Sequence, residues 1–191
     1  MLEVARYSVV ETLRDGRPVE IRALRPDDRT DFLAAIGRVR EESLRRRFLG
    51  PRRFFSEPEI AYFLNVDFVE HVALVAVVEE DGHPTIVGGG RYIVLRPGQA
   101  EIGFTVVDQY QRQGIGTALM RHLAMIAREV GLRELIAEVL TDKLSDAQGV
   151  REKRVPPREG IQPRGRLHRA STALTGRPLT EQRNSRVVQS P

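Results

Sequence analysis

Residues 100–130 run an alternating segment into a tight polar turn and then into a long amphipathic one, and the turn reads Gln111, Arg112, Gln113, Gly114, Ile115, Gly116, Thr117. Over 100–107, Ile102, Phe104 and Val106 share one face while Glu101, Gly103 and Thr105 share the other. That is the period of a strand with one face to the core and one to something polar. Beyond the turn, Leu119, Leu123, Ile126, Ala127 and Val130 fall on one helical stripe, and Gly131 stands where a left-handed cap would close the helix. A glycine-rich first turn leaves backbone N–H groups unpaired at the positive end of the helix dipole. The turn is therefore read as an anion site, with phosphate or pyrophosphate as its guest. The plainer alternative is a turn whose glycines serve only positive φ.

Two other phosphate loops compete for this stretch, and both fail on residues. The dinucleotide fingerprint needs a third glycine where Leu119 stands, and the P-loop needs a Lys-Ser/Thr pair absent after Gly116. What remains, Q-x-x-G-x-G between a strand and a long helix, resembles the acyl-CoA signature of the GCN5-related N-acetyltransferase (GNAT) family.

The chain ahead of the motif fits the same resemblance. Segments 9–13 and 18–23 flank Asp15-Gly16, a hairpin signal, and Pro26, Asp27 and Asp28 open a helix through Val39. Short helices are expected at 43–48 and 57–64, antiparallel strands at 71–79 and 85–94, and a further strand at 134–140. The runs E-T-L-R-D-G-R-P-V-E-I-R-A-L-R-P-D-D, F-L-G-P and V-V-D-Q-Y-Q look like the members of the family found with acyl-CoA synthetases or regulatory domains, which act on protein lysines. The implied fold is α/β, a mixed and mostly antiparallel sheet flanked by helices. In it the strands at 100–107 and 134–140 splay apart around the pantetheine arm.

The resemblance also implies a chemistry. It places acetyl-CoA, as co-substrate, on Thr105, Val106, Val107, Gln111, Arg112, Gln113, Gly114, Ile115, Gly116 and Thr117, with a strand N–H near Thr105 or Val106 facing the acyl oxygen. The acceptor is a primary amine, on a small molecule or a protein lysine. Since a lysine amine has a pKa near ~10.4, something must take its proton, and Glu101 is the candidate base. The competing reading makes Glu101 a solvated strand-end carboxylate or an ion-pair partner. Many members carry a tyrosine acid after the last recognisable strand, yet Tyr7, Tyr62, Tyr92 and Tyr110 all precede Leu140. A non-catalytic acyl-CoA-binding or regulatory module, or an inactive truncated homologue, is the alternative function.

Composition changes abruptly after Asp142. Up to that point 19 arginines and no lysine face 22 acids, a net −3, whereas from Lys143 onward 11 basic residues face 4 acids, a net +7. The tail has no aromatic residue and no sustained apolar period, so low order is expected. Domain expectations are thus an incomplete core at 1–142, ending after the strand at 134–140, and a basic tail at 143–191. Three origins stay open for the tail: a shifted reading frame, a native disordered segment, or a basic binding arm. One-nucleotide-shifted codons for residues 143–155 allow N-x-P-M-L-K-V-F-E-K-S-G-F, which resembles what the family carries after this strand. On this reading the strand at 134–140 becomes a sheet edge with Leu135 and Ile136 exposed, and the core is smaller and leakier.

Other bounds follow quickly. The length suits one domain, and without cysteine there is neither disulfide nor thiolate chemistry. No stretch reaches the ~20 apolar residues of a membrane span and no leader pattern opens the chain, so a cytoplasmic protein is expected, with no membrane partner and nucleic acid disfavoured. His71, His83, His122 and His168 lack ligand spacing, so no metal is expected; His122 reads as solvated. Arg45, Arg46 and Arg47 read as a solvated helix face, with an adenosine 3′-phosphate or an acidic partner as the alternative. Gly88, Gly89 and Gly90 suggest a bulge or a close approach of backbone.

Overall fold

A computed structural model describes residues 3–48, 54–140, 151–154 and 167–174. Its centre is one sheet of strands β1 (Ser8–Thr12), β2 (Pro18–Ala23), β3 (His71–Glu80), β4 (His83–Arg96), β5 (Gln99–Val106), β6 (Glu134–Leu140), β7 (Arg151–Arg154) and β8 (Leu167–Ala173). They lie side by side in the order β1-β2-β3-β4-β5-β6-β8-β7. Only the β5–β6 pair is parallel. Helices α1 (Arg29–Gly37), α2 (Glu41–Phe48) and α3 (Glu57–Leu64) fall between β2 and β3, and α4 (Ile115–Glu129) joins β5 to β6. This is the mixed, mostly antiparallel α/β architecture that the sequence predicts.

Local chemistry explains the framework. Asp81 and Gly82 both take positive φ, 50° and 78°, which gives the β3–β4 hairpin a turn whose twist suits its strands. From His71 to Val78 every residue of β3 is buried, because helices cover both faces of the sheet there. Leu119, Leu123, Ile126 and Ala127 are fully buried on the sheet-facing side of α4. The glycine run of β4 lets that helix approach: a Cβ on Gly90 would lie 2.6 Å from Phe104, and one on Gly88 3.2 Å from Ile115. The register also shifts opposite this run, between Ala76 and Val77, so both the bulge and the close approach are present.

Three expectations are corrected. Val130 is 53% exposed, because it caps α4 rather than continuing its buried stripe. His122 is buried; the β1 flank of the sheet brings the Tyr7 hydroxyl to its Nδ1 and Glu11 to within 2.8 Å of its Nε2. Most consequentially, β6 is not the edge of the sheet. β8 pairs with it from Glu134↔Ala173 to Leu140↔Leu167, and Leu135 and Ile136 are 2% and 3% exposed. An open ladder of N–H and C=O groups is satisfied by any backbone able to extend beside it. The low-complexity argument, averaged over the whole tail, misses one seven-residue run with that ability. Residues 49–51 of the F-L-G-P run and residues 143–150 lie outside the described residues. Among the described residues, no helix is long and apolar enough to cross a membrane.

Candidate active site

The site begins where the sheet opens. β5 and β6 pair only through Gln99↔Glu134, Ala100↔Leu135 and Glu101↔Ile136 and then separate. A cleft of about 350 Å³ fills the gap, lined by β5 from Glu101 to Val106, by Ser43, Arg46 and Arg47 of α2, by Gln111 and by Ala137. The sequence-predicted face of β5 is there, with Glu101, Gly103 and Thr105 on the side covered by α2.

Backbone directions along β5 follow from two bonds. Val107 N–H donates to the Val87 carbonyl of β4, at 2.9 Å, while the Val106 carbonyl accepts from Gln111 Nε2 on the opposite side, at 3.1 Å. N–H and C=O of one strand residue point the same way and alternate along the strand. The N–H groups of Val106 and Phe104 therefore face the opening, and that of Thr105 faces β4. The structure thus brings Val106 to the cleft and withholds Val107, whose side chain is 2% exposed and whose carbonyl accepts from Tyr110 N–H.

The turn after β5 lines a second cleft, which adjoins the first at Val106 and Gln111. Arg112 adopts φ 64° and Gly114 φ 102°, reversing the chain into α4. No side chain caps that helix, and its first amides have no intrahelical acceptor. Gly114, Gly116 and Thr117 line this cleft with Arg112, whereas the Ile115 side chain is core, 1% exposed. Gln111 and Gln113 brace the loop. Gln113 Nε2 donates to Gln109 O at 2.9 Å, and its Oε1 accepts from Arg17 at 2.8 Å.

Gly116 has a different reason to be glycine than Gly114. An added Cβ there would meet only Val106 Cγ2, at 4.0 Å, so no protein atom demands its absence. The space is in the cleft. Gly116→Val should leave the melting temperature within a few degrees of wild type yet abolish the melting shift produced by a pyrophosphate-bearing ligand; an intact shift would show that the cleft does not hold one.

Several residues at this site were invisible in the sequence reading. Arg14, on the β1–β2 hairpin, lines the second cleft and lies 3.9 Å from a Cβ built on Gly114. The hairpin signal at Asp15-Gly16 was legible, but not where its tip would land. The Arg45–Arg47 run splits: Arg45 and Arg46 pair with Glu42 at 3.7 and 2.7 Å, as a solvated face would, whereas Arg47 turns inward over Gly103. Burial, the larger influence, lowers the pKa of Arg47, and the nearby Glu101 charge opposes it. None of the four tyrosines enters the gap between β5 and β6. Tyr92 is core, pushed up to about 12 by burial, Tyr7 is bonded to His122, Tyr62 stacks on His71, and the Tyr110 hydroxyl donates to Glu80. Among the described residues, no group of three or more His, Asp or Glu could hold a metal ion.

Comparison with known proteins places this geometry. A profile described as the acetyltransferase (GNAT) family matches residues 37–154. Acetyltransferase PA5475 of Pseudomonas aeruginosa is 39% identical over 127 residues, spanning 66% of this chain and 68% of that protein. Acetyltransferase Pat of Mycolicibacterium smegmatis is 32% identical over 137 residues, 70% of this chain but only 40% of its own length. Among solved structures, the GNAT domain of S. lividans PAT superposes with a TM-score of 0.72 at 28% identity, covering 87% of this chain and 96% of that one. The fold is shared too by yncA of Salmonella typhimurium, a putative acetyltransferase solved with its cofactor acetyl-CoA, at a TM-score of 0.61 and 18% identity over 83% and 95% of the two chains. Motif, splayed strands and kinship agree: the chain belongs to the GNAT acetyltransferase family and is an acyltransferase by descent.

Proposed function

We propose that the chain transfers the acetyl group of acetyl-CoA to a primary amine by direct attack, with Glu101 as the base. The observation that carries this reading is that the two clefts adjoin at Val106 and Gln111, which line both. Their linings extend from the uncapped start of α4, past Val106 and Phe104, to Glu101 and Gly103, in the order that pyrophosphate, pantetheine and thioester would need.

On this reading the α4 amides, with Arg14 and Arg112 beside them, hold the pyrophosphate. The pantetheine amides pair with the β5 groups that β6 leaves open, as an added strand would. Glu101 accepts the proton of the incoming ammonium, its nitrogen forms the new N–C bond, and an inward-facing β5 amide steadies the oxyanion. The C–S bond then breaks. A coenzyme A thiol resembles cysteine, with a pKa near ~8.5, so it leaves as a thiolate without a strong acid. The absence of a tyrosine in the gap is compatible with that.

The acceptor is a small-molecule amine or a protein lysine, the latter being what the resemblance of the opening and F-L-G-P runs implies. The test is a transfer assay with acetyl-CoA over free amines and lysine peptides, beside a melting curve with and without acetyl-CoA. Transfer together with a melting shift is expected; a shift without transfer to any amine would leave an acyl-CoA-binding module, and neither would sink the reading.

A further inference from the structure

Two guanidinium groups stand close to Gly103, beside the β5–β6 cleft. Arg91, on β4, stands directly opposite Gly103 of β5 in the antiparallel ladder. Arg47, from α2, lies over Gly103, where an added Cβ would be 2.5 Å from its Cζ. That glycine is needed to seat the guanidinium. Both arginines line a mostly apolar pocket between α1, α2, α3 and the sheet, and Arg47, Gly103 and Thr105 are shared with the β5–β6 cleft. The pocket, at about 70 Å³, is several times what one water needs (~10–15 Å³).

Among the described residues no carboxylate comes within 4.0 Å of either arginine. Arg91 Nη1 lies 3.0 Å from His71 Nε2 and its Cζ sits 4.6 Å over the Phe63 ring; Arg47 lies 5.1 Å over Phe48. Burial first, and the Arg91 charge second, drive His71 down to about 4, so near neutral pH it is uncharged and supplies no counter-ion. Burial and the Arg47 charge bring Arg91 down to about 10, a sign of two cations held against each other in a partly dry place. Glu101 is the negative charge that Arg47 feels. Partly dehydrated guanidinium groups without a close carboxylate are costly, and a planar oxyanion relieves that cost bidentately.

We propose that Arg47 and Arg91 bind a carboxylate of the acceptor, so that the amine acetylated by this chain carries a carboxylate a few bonds from its nitrogen, as an α-amino acid does. This rests on the acetyl-transfer reading above. The spacing suits it: Gly103, beneath Arg47 and opposite Arg91, and Glu101 are two residues apart on β5, ~7 Å along the strand.

The experiment uses matched acceptors: the proteinogenic amino acids, their amides, their decarboxylated amines and lysine peptides, each with acetyl-CoA. A free carboxylate is expected to raise kcat/KM at least ~10-fold over the matched amide, chiefly through KM. Arg91→Met and Arg47→Met should each erase that preference, Arg91→Lys should restore part of it, and Arg91→Met should keep the melting shift with acetyl-CoA. The proposal is overturned if amides or lysine peptides react as well as free acids, if the methionine variants keep the preference, or if the arginines instead select succinyl-CoA over acetyl-CoA. Should no amine be acetylated, the acetyl-transfer reading fails, and calorimetry decides the carboxylate site separately. Binding of N-acetyl amino acids to the CoA-loaded protein, lost in both variants, would uphold it; no binding would overturn it.

Discussion

Glu101→Gln is expected to lower kcat for acetyl transfer by ~10²–10⁴-fold while changing the acetyl-CoA dissociation constant less than about threefold. The asymmetry is the point. Glutamine keeps the size and the hydrogen-bonding reach of the side chain but cannot accept the ammonium proton. The groups proposed to hold the cofactor's charge are at the start of α4, in the second cleft. In the variant, turnover should climb with pH as the free amine itself becomes populated toward its pKa of ~10.4, whereas wild type should level off earlier. Glu101 also makes contacts inside the protein, so the melting temperature must be followed in parallel. Equal losses in turnover and cofactor binding, at unchanged stability, would remove Glu101 from the role of base and return it to that of a structural carboxylate.

Asp28→Asn should destabilise the fold by about 3–5 kcal/mol, the cost of leaving a buried charge without its partner. Arg22 grips Asp28 with two bonds, Nη1 to Oδ2 and Nη2 to Oδ1, both 2.7 Å, and the Arg25 amide adds a third at 2.7 Å. Both side chains are buried. The pair clamps the end of β2 to the start of α1, and α1 walls the pocket that carries Arg47 and Arg91. Burial by itself would raise the Asp28 carboxyl, but the bonds from Arg22 and Arg25 outweigh it and hold the pKa below the ordinary value. A carboxyl lowered in the folded state contributes stability that is complete above the unfolded pKa of ~3.9 and vanishes as pH falls through the folded value. Wild type should therefore lose stability on acidification below ~4, and Asp28→Asn should show a shallower fall there, measured by denaturant midpoints from pH 7 to pH 2. A midpoint unmoved at pH 7 would mean that the pair is not a clamp.

Much of the fold could be read in one dimension because its determinants are local. The alternation over 100–107, the polar turn with its glycines and the stripe on α4 each reflect bonds and burial within a few residues, and α3 and β6 appear at the predicted bounds. Failures occurred where a partner distant in sequence decides. His122 is polar on a predicted surface, and only the crossing of β1, more than a hundred residues away, buries it against Tyr7 and Glu11. Arg47 is one arginine of three in a row, and nothing in that run says which will turn inward. The vacancy above Gly103 chooses it.

By itself, then, the sequence determined the glycine turn proposed to bind an anion, the candidate base and the family, because glycine placement, strand period and helix period are short-range constraints that the chain carries wherever it folds. Only the tertiary structure decided which β5 amides face the opening, that the β1–β2 hairpin delivers Arg14 to the second cleft, that Arg47 lies over the glycine opposite Arg91, and that β6 gains a neighbour in β8. Each of these depends on elements far apart in the chain coming together, and the free energy of such a contact is a property of two surfaces at once, which no single stretch of residues encodes.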